Sequence, residues 1–266
     1  MKMTTLRNLS MMWLLVVTAL LTMAMPANAV KVTNVTTGTT LFEDGYENPP
    51  GGGNSNPLTG TWINQRGASM MATDAASPGP SEGAQYGSAA AGAETKNMAT
   101  FDSVQSTVGD VIRVEWMSYV DPSPGAAEFF VSHGLWSVND GTEGSPGGAA
   151  SVVDFGMDLA GTPDTLNYYD GGWNQFTPDL NIIYNEWVPV TLDYAVGAAT
   201  FDITYGGVAA TGGAKDLSVT GGVIGQFQVG HGNGSINYVD AVPEPSTCAL
   251  ALIGLLTAVG CYRRRR

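Results

Sequence analysis

The sequence predicts an all-β fold, a single antiparallel β-sandwich with an apolar helix at each end of the chain. Three observations carry this. After residue 29 no stretch shows the period of an amphipathic helix until the extreme C-terminal end. Short apolar-alternating runs recur instead, separated by Gly, Asn, Asp and Pro. The span from Val30 to Pro245, about 215 residues, is long enough for one sizeable core. Both cysteines, Cys248 and Cys261, lie in the C-terminal apolar stretch, so the sandwich has no disulfide, zinc–thiolate site or cysteine nucleophile and must stand on packing.

Taken in order, residues 30–43 read as two short strands around Thr37-Gly38. Residues 44–57 read as a loop, because their prolines and glycines cannot hold a ladder. Residues 60–65 give a short strand with Trp62, residues 68–93 a glycine-rich tract with one weak strand near 84–86, and residues 96–102 a further strand. Residues 110–120 alternate clearly: Val111, Arg113, Glu115 and Met117 face one side and Ile112, Val114, Trp116 and Ser118 the other. With residues 127–133 they are expected to form a hairpin across the Pro/Gly turn at 121–125. Residues 135–138 extend as a strand and residues 140–148 as a loop. Residues 151–159 and 165–169 read as a second hairpin, and residues 171–181 as a loop holding Trp173 and Phe176. Residues 185–208 give a third hairpin, with Trp187, Val190 and Leu192 on one strand, a turn at Gly197, and Phe201, Ile203 and Tyr205 returning to Gly206-Gly207. Residues 223–230 and 235–242 close the domain.

The two ends have their own chemistry. Lys2 and Arg7 precede an apolar run from Met11 to Met23, Pro26 follows, and Ala27 and Ala29 put small residues where signal peptidase cuts. Residues 1–29 therefore read as a signal peptide with the mature chain starting at Val30. At the other end, Val242, Pro243, Glu244 and Pro245 form an extended segment that can neither continue a helix nor join a ladder. The apolar stretch 248–262 then reads as a transmembrane helix. Arg263, Arg264, Arg265 and Arg266 stop translocation and stay cytoplasmic.

The order of Pro-Glu-Pro, apolar helix and arginine cluster over 242–266 closely resembles the PEP-CTERM sorting signal. That resemblance implies an exosortase-type enzyme as partner and a protein passed through the inner membrane, transiently anchored by its tail helix, to the cell surface or beyond. The resulting domains are 1–29 signal peptide, 30–241 β-sandwich and 242–266 sorting signal. The exported span holds five basic residues (Lys31, Arg66, Lys96, Arg113, Lys215) against all 24 acidic ones, a net charge of −19 compared with −13 for the whole chain. That charge disfavours nucleic acid and suits an extracellular protein or one that binds cations.

Trp187, Asp193-Tyr194 and Gly206-Gly207 resemble a hairpin of concanavalin-like and laminin-G-like jelly rolls. The opening Leu41-Phe42-Glu43-Asp44 and the last strand ending in Tyr238-Val239-Asp240 agree loosely. The resemblance implies a lectin-like sandwich. Exposed aromatics beside polar loop groups suit sugar binding, and Tyr168, Tyr169, Asp170, Trp173 and Phe176 cluster in this way; the competing reading makes these aromatics core. Calcium is the one cofactor the loops suit, with Asp44, Glu47, Asp140 and Glu143 as candidate oxygen ligands and Asp164 with Asp170 as a further pair. The same residues also serve as turn formers. His133 and His231 read as surface or strand-end residues. Asp154 and Asp158 share a strand face too far apart to act together, and Glu115 reads as a solvated partner of Arg113. No Gly-x-Ser-x-Gly elbow or glycosidase carboxylate string is present. The expected function is therefore non-enzymatic association with extracellular polysaccharide or envelope matrix. A polysaccharide hydrolase or lyase on the same fold and a purely structural matrix protein are the alternatives.

Overall fold

The computed structural model describes residues 30–46, 53–54, 57–66, 71–73, 80, 85–88, 95–102, 106–121, 131–137, 151–157, 165–215, 223–231 and 236–240. The predicted signal peptide with Ala27 and Ala29, the sorting signal from Val242 to Arg266, and Glu47, Asp140, Glu143, Asp158 and Asp164 lie outside them. Among the described residues no helix is long and apolar enough to cross a membrane.

Seventeen strands follow one another: β1 Val30–Asn34, β2 Thr39–Asp44, β3 Gly53–Asn54, β4 Thr61–Arg66, β5 Met71–Thr73, β6 Tyr86–Ser88, β7 Thr95–Thr100, β8 Val111–Asp121, β9 Val131–Trp136, β10 Ser151–Met157, β11 Thr165–Tyr169, β12 Trp173–Asn181, β13 Trp187–Ala195, β14 Thr200–Tyr205, β15 Val208–Gly213, β16 Gln226–His231 and β17 Ile236–Asp240. Every pairing between them is antiparallel. In the first sheet β8 is central. It pairs with β13 on one side, and on the other with β1 along its first half and β17 along its second. Beyond β13 come β14 and β15. The second sheet runs β4-β7-β16-β9-β10-β11-β12. Strand β12 turns the corner between them through Thr177↔Thr211, and the Glu43↔Thr59 bridge joins their far edges, so the sheet nearly closes.

Alternation explains which faces meet. Strand β8 buries Ile112, Val114, Trp116 and Ser118 and leaves Arg113 and Glu115 half-buried. Its apolar row meets Val190, Leu192, Ile203 and Tyr205 within the first sheet and Leu135, Phe155, Phe227 and Val229 from the second. The third predicted hairpin is present as β13–β14, closed by Gly197 at φ 90°. The Tyr194 hydroxyl accepts from the Gly197 amide (3.1 Å) and donates to the Ala198 carbonyl (3.3 Å). Gly206 and Gly207 both take positive φ, the requirement of a tight hairpin turn, and lead into a strand, β15, that the sequence reading lacks.

Two expectations are corrected. The hairpin of residues 110–120 with 127–133 does not form: β8 belongs to the first sheet, whereas β9 pairs with β10 and β16 in the second. Trp116 and His133 instead face each other across the core, their rings 5.3 Å apart. A Pro/Gly turn joins strands of opposite sheets as readily as neighbours. Residues 173–181, expected as a loop, form β12. The register there jumps from Leu166↔Leu180 to Asn167↔Gln175, so only Phe176 and Leu180 turn inward and the two-residue period is lost.

Candidate functional site

The aromatic cluster nominated by sequence divides into two layers. Residues 170–172 join β11 to β12, with Gly171 at φ 123° and Tyr169 opposite Trp173. Tyr168 points toward the core, with ring centroids 5.2 Å from Phe176 and 6.4 Å from Phe201. Phe176 is 1% exposed and belongs to the core, so it is not a surface contact residue. Tyr169 and Trp173 are half-buried and meet edge-on at 5.5 Å and 74°. Lys215 Nζ lies 5.8 Å from the Tyr169 ring centre, a cation–π approach. Asp170 is exposed, and its carboxylate accepts from Asn174 Nδ2 at 2.7 Å; the same amide reaches the Gly172 carbonyl at 2.9 Å. An aromatic pair with a polar rim is thus presented at the corner of the sandwich.

A second feature lies beside it. The outer face of the first sheet carries an open groove of about 390 Å³ lined by Thr177, Thr191, Asp193, Asp202, Thr204 and Thr211. Register builds it. Thr33, Arg113, Asp193, Asp202, Thr211 and Thr177 stand opposite one another in a single row across six strands. Glu43, Lys31, Glu115, Thr191, Thr204 and Ala209 form the next row. Arg113 takes both oxygens of Asp193 at 2.7 Å, and that hydrogen-bonded partner, opposed by partial burial, raises its pKa. The predicted partner of Arg113, Glu115, therefore contributes only a field on the same face. The Asp202 carboxylate accepts the Thr211 hydroxyl at 2.7 Å. Trp187 also lies on this face, outside the core cluster, packed edge-on against Tyr119 (5.4 Å) and Tyr86 (5.8 Å).

Of the calcium candidates, Asp44 is described and buried, and its carboxylate is committed internally. One oxygen accepts the Tyr46 amide (2.9 Å) and the other accepts Trp62 Nε1 (2.6 Å). No group of three or more metal-ligating side chains occurs among the described residues. Asp154 is buried and accepts the Ser151 hydroxyl. His133, expected near the surface, lies in the core against Trp116, Phe155 and Phe227, beside a cavity of about 10 Å³. Burial lowers its pKa to about 3, opposed by a hydrogen bond at the Gln228 backbone. At the end of the sandwich Asp110 accepts the Thr107 amide and hydroxyl and the Asn34 side chain, and the Thr107 amide is the main cause of its lowered pKa. His231 ends β16.

Sequence reasoning missed the groove. Its parts are ordinary polar residues of the solvent half of each strand, and only the pairing of chain segments 80 residues apart, as in Arg113 with Asp193, brings them together. A search of the curated proteins finds no match. Among solved structures, the chain is similar to lectin II from Ulex europaeus (11% identity, TM-score 0.45, covering 70% of this chain and 92% of that one). It is also similar to a botulinum neurotoxin serotype C1 binding domain (10%, 0.43, 81% and 47%). A sialidase matches at 7% identity and TM-score 0.42 over 70% of this chain, which spans only 17% of the sialidase. At the C-terminal end, residues 241–266 match the PEP-CTERM protein-sorting motif, and the chain carries that sorting motif.

Proposed function

We propose that this is an exported, non-enzymatic protein whose jelly-roll sandwich of the concanavalin-like kind binds extracellular polysaccharide at the cell surface. The observation that carries the binding is the half-buried Tyr169–Trp173 pair with Asp170, Asn174 and Lys215 at its rim. Aromatic faces cover the apolar face of a sugar ring while neighbouring polar groups take its hydroxyls. The sorting motif supports export, with signal peptidase removing residues 1–29. The stretch 248–262 then holds the chain in the inner membrane until an exosortase-type enzyme processes the tail. The hydrolase alternative would draw on Asp193 and Asp202, which stand opposite each other on adjacent strands. Arg113 holds both oxygens of Asp193, which favours binding over cleavage.

The test is affinity electrophoresis of the purified full-length chain, in a detergent without a sugar headgroup, through gels containing neutral and acidic polysaccharides. Trp173→Ala and Tyr169→Ala should weaken binding ~30-fold, the effect of removing a contact aromatic worth about 2 kcal/mol. Arms with calcium and with chelator decide whether the carboxylates Asp44, Glu47, Asp140 and Glu143 take part. Retardation by no polysaccharide in either arm, or binding unchanged in both variants, refutes the proposal.

A further inference from the structure

We infer that the Tyr169–Trp173 pair is one end of an elongated site, continued by the groove on the outer face of the first sheet, and that its ligand is a linear chain of neutral sugars. The inference rests on the carbohydrate-binding reading above and names the ligand class and the extent of the site.

Continuity comes from β15. Ala209, Thr211 and Gly213 share the outer face by alternation. Gly213 is where the groove meets the aromatic corner: a Cβ there would lie 2.6 Å from the Asp170 carboxylate and 3.0 Å from the Tyr168 ring. Glycine thus leaves the space that Asp170 fills. One strand step of about 7 Å separates Gly213 from Thr211 in the groove. Two residues further along, Lys215 sits over Tyr169. Aromatic pair, Asp170, Gly213 and groove therefore follow each other without a break. The polar row across six strands is roughly 24 Å long at the usual spacing between strands, which outruns one sugar ring.

The chemistry of the groove selects a neutral, hydroxyl-rich chain. Thr177, Thr191, Thr204 and Thr211 supply hydroxyls that both donate and accept. Asp202, held by Thr211, is a fixed acceptor for sugar hydroxyls. Of the described cations near the site, Arg113 is committed to Asp193, Lys31 lies 3.8 Å from Glu43, and Lys215 stands over Tyr169 at the aromatic corner. Along the groove an acidic polysaccharide would meet Asp193 and Asp202, with Lys215 only at the aromatic end, on a span whose net charge is −19 by its five basic and 24 acidic residues.

Binding of the full-length chain is measured by calorimetry, in a detergent without a sugar headgroup. The probes are di-, tetra- and hexasaccharides of dextran, xylan and mannan, with alginate oligosaccharides as the acidic comparison. Affinity for the neutral series that binds should rise about tenfold or more from disaccharide to hexasaccharide. The double variant Asp202→Asn, Thr204→Val, which opens no core cavity and should keep the wild-type circular dichroism spectrum, should flatten that rise. Affinity independent of length, a double variant that binds hexasaccharide like wild type, or alginate binding tighter than the neutral series overturns the elongated neutral site. If Trp173→Ala abolishes binding while the groove variant does not, the groove assignment alone fails. If wild type binds none of the oligosaccharides, the carbohydrate reading fails and takes the groove with it.

Discussion

Gly212 and Gly213 are neighbours on β15 with opposite jobs, and replacing each by alanine separates packing from binding. Gly212 faces inward. A Cβ there would lie 2.6 and 2.7 Å from two Phe201 ring carbons and 2.8 Å from one of Phe176. Both rings are buried and packed 5.9 Å apart, so neither can retreat without disturbing Phe155 or Tyr168. Overpacking of this kind costs ~1–3 kcal/mol, and the chain entropy removed from the unfolded state returns about 0.5 kcal/mol. Gly212→Ala should therefore lose about 2 kcal/mol. Gly213 faces outward, and its new methyl meets first the end of the exposed Asp170 side chain at 2.6 Å, which can swing away, and then the Tyr168 ring at 3.0 Å and the Asp170 Cβ at 3.1 Å, which must each give by a few tenths of an ångström. The loss of stability should stay below about 1 kcal/mol, because the Asn174–Asp170 hydrogen bond that is lost is solvent-exposed and the entropy gain offsets part of the small shift asked of Tyr168. Displacing Asp170 should nonetheless weaken polysaccharide binding about tenfold. Urea unfolding followed by tryptophan fluorescence, with the electrophoresis assay alongside, reads both effects. A Gly212→Ala protein as stable as wild type, or a Gly213→Ala protein that loses more than ~1.5 kcal/mol, would show that the two faces of β15 are assigned wrongly.

The core histidine predicts acid sensitivity. Its folded pKa of about 3 is below the ordinary value of 6.5, so the unfolded chain takes up the proton first. The native state keeps its full margin above pH 6.5, and stability falls as pH drops from there toward 3, by at most about 1.4 kcal/mol per pH unit. His133→Phe, placed between Phe155 and Phe227, should remove that slope between pH 6 and 4; parallel wild-type and variant curves would refute it. Asp44→Ala should cost about 2–4 kcal/mol, since it strands the Tyr46 amide and Trp62 Nε1, two donors to a buried carboxylate. The cost should be the same with calcium or with chelator. A loss seen only in the presence of calcium would instead make Asp44 a metal ligand.

The inward half of strands such as β8, β13 and β14 was legible because burial writes a local pattern. Strand β8 announced its buried face by alternation, and β13–β14 announced its turn through Gly197 and the paired Gly206-Gly207. Pattern failed where a strand bends around a corner. In β12 three residues, Thr177, Pro178 and Asp179, stand between the inward-facing Phe176 and Leu180, and they read as loop. Pattern also failed across the core, since nothing in residues 121–130 says whether β9 returns beside β8 or crosses to the other sheet. The burial of His133 follows from that crossing and was invisible with it.

The outward half of the strands poses a different problem. Thr191, Asp193, Asp202, Thr204 and Thr211 satisfy the polar positions of their strands, and read singly each is a solvated residue that needs no partner. Their meaning lies in register. Moving β14 by one residue against β13 would turn Asp202 into the core and break up the row, yet the apolar residues forbid it, because the same slip would expose Phe201 and Ile203. The buried face thus dictates the arrangement of the exposed one. A groove whose residues carry no local signal of their own is held in place by the hydrophobic pattern that the sequence displays most openly. Substitutions in the groove can therefore change the surface that face presents while the fold, set from the other side of the sheet, stays as it is.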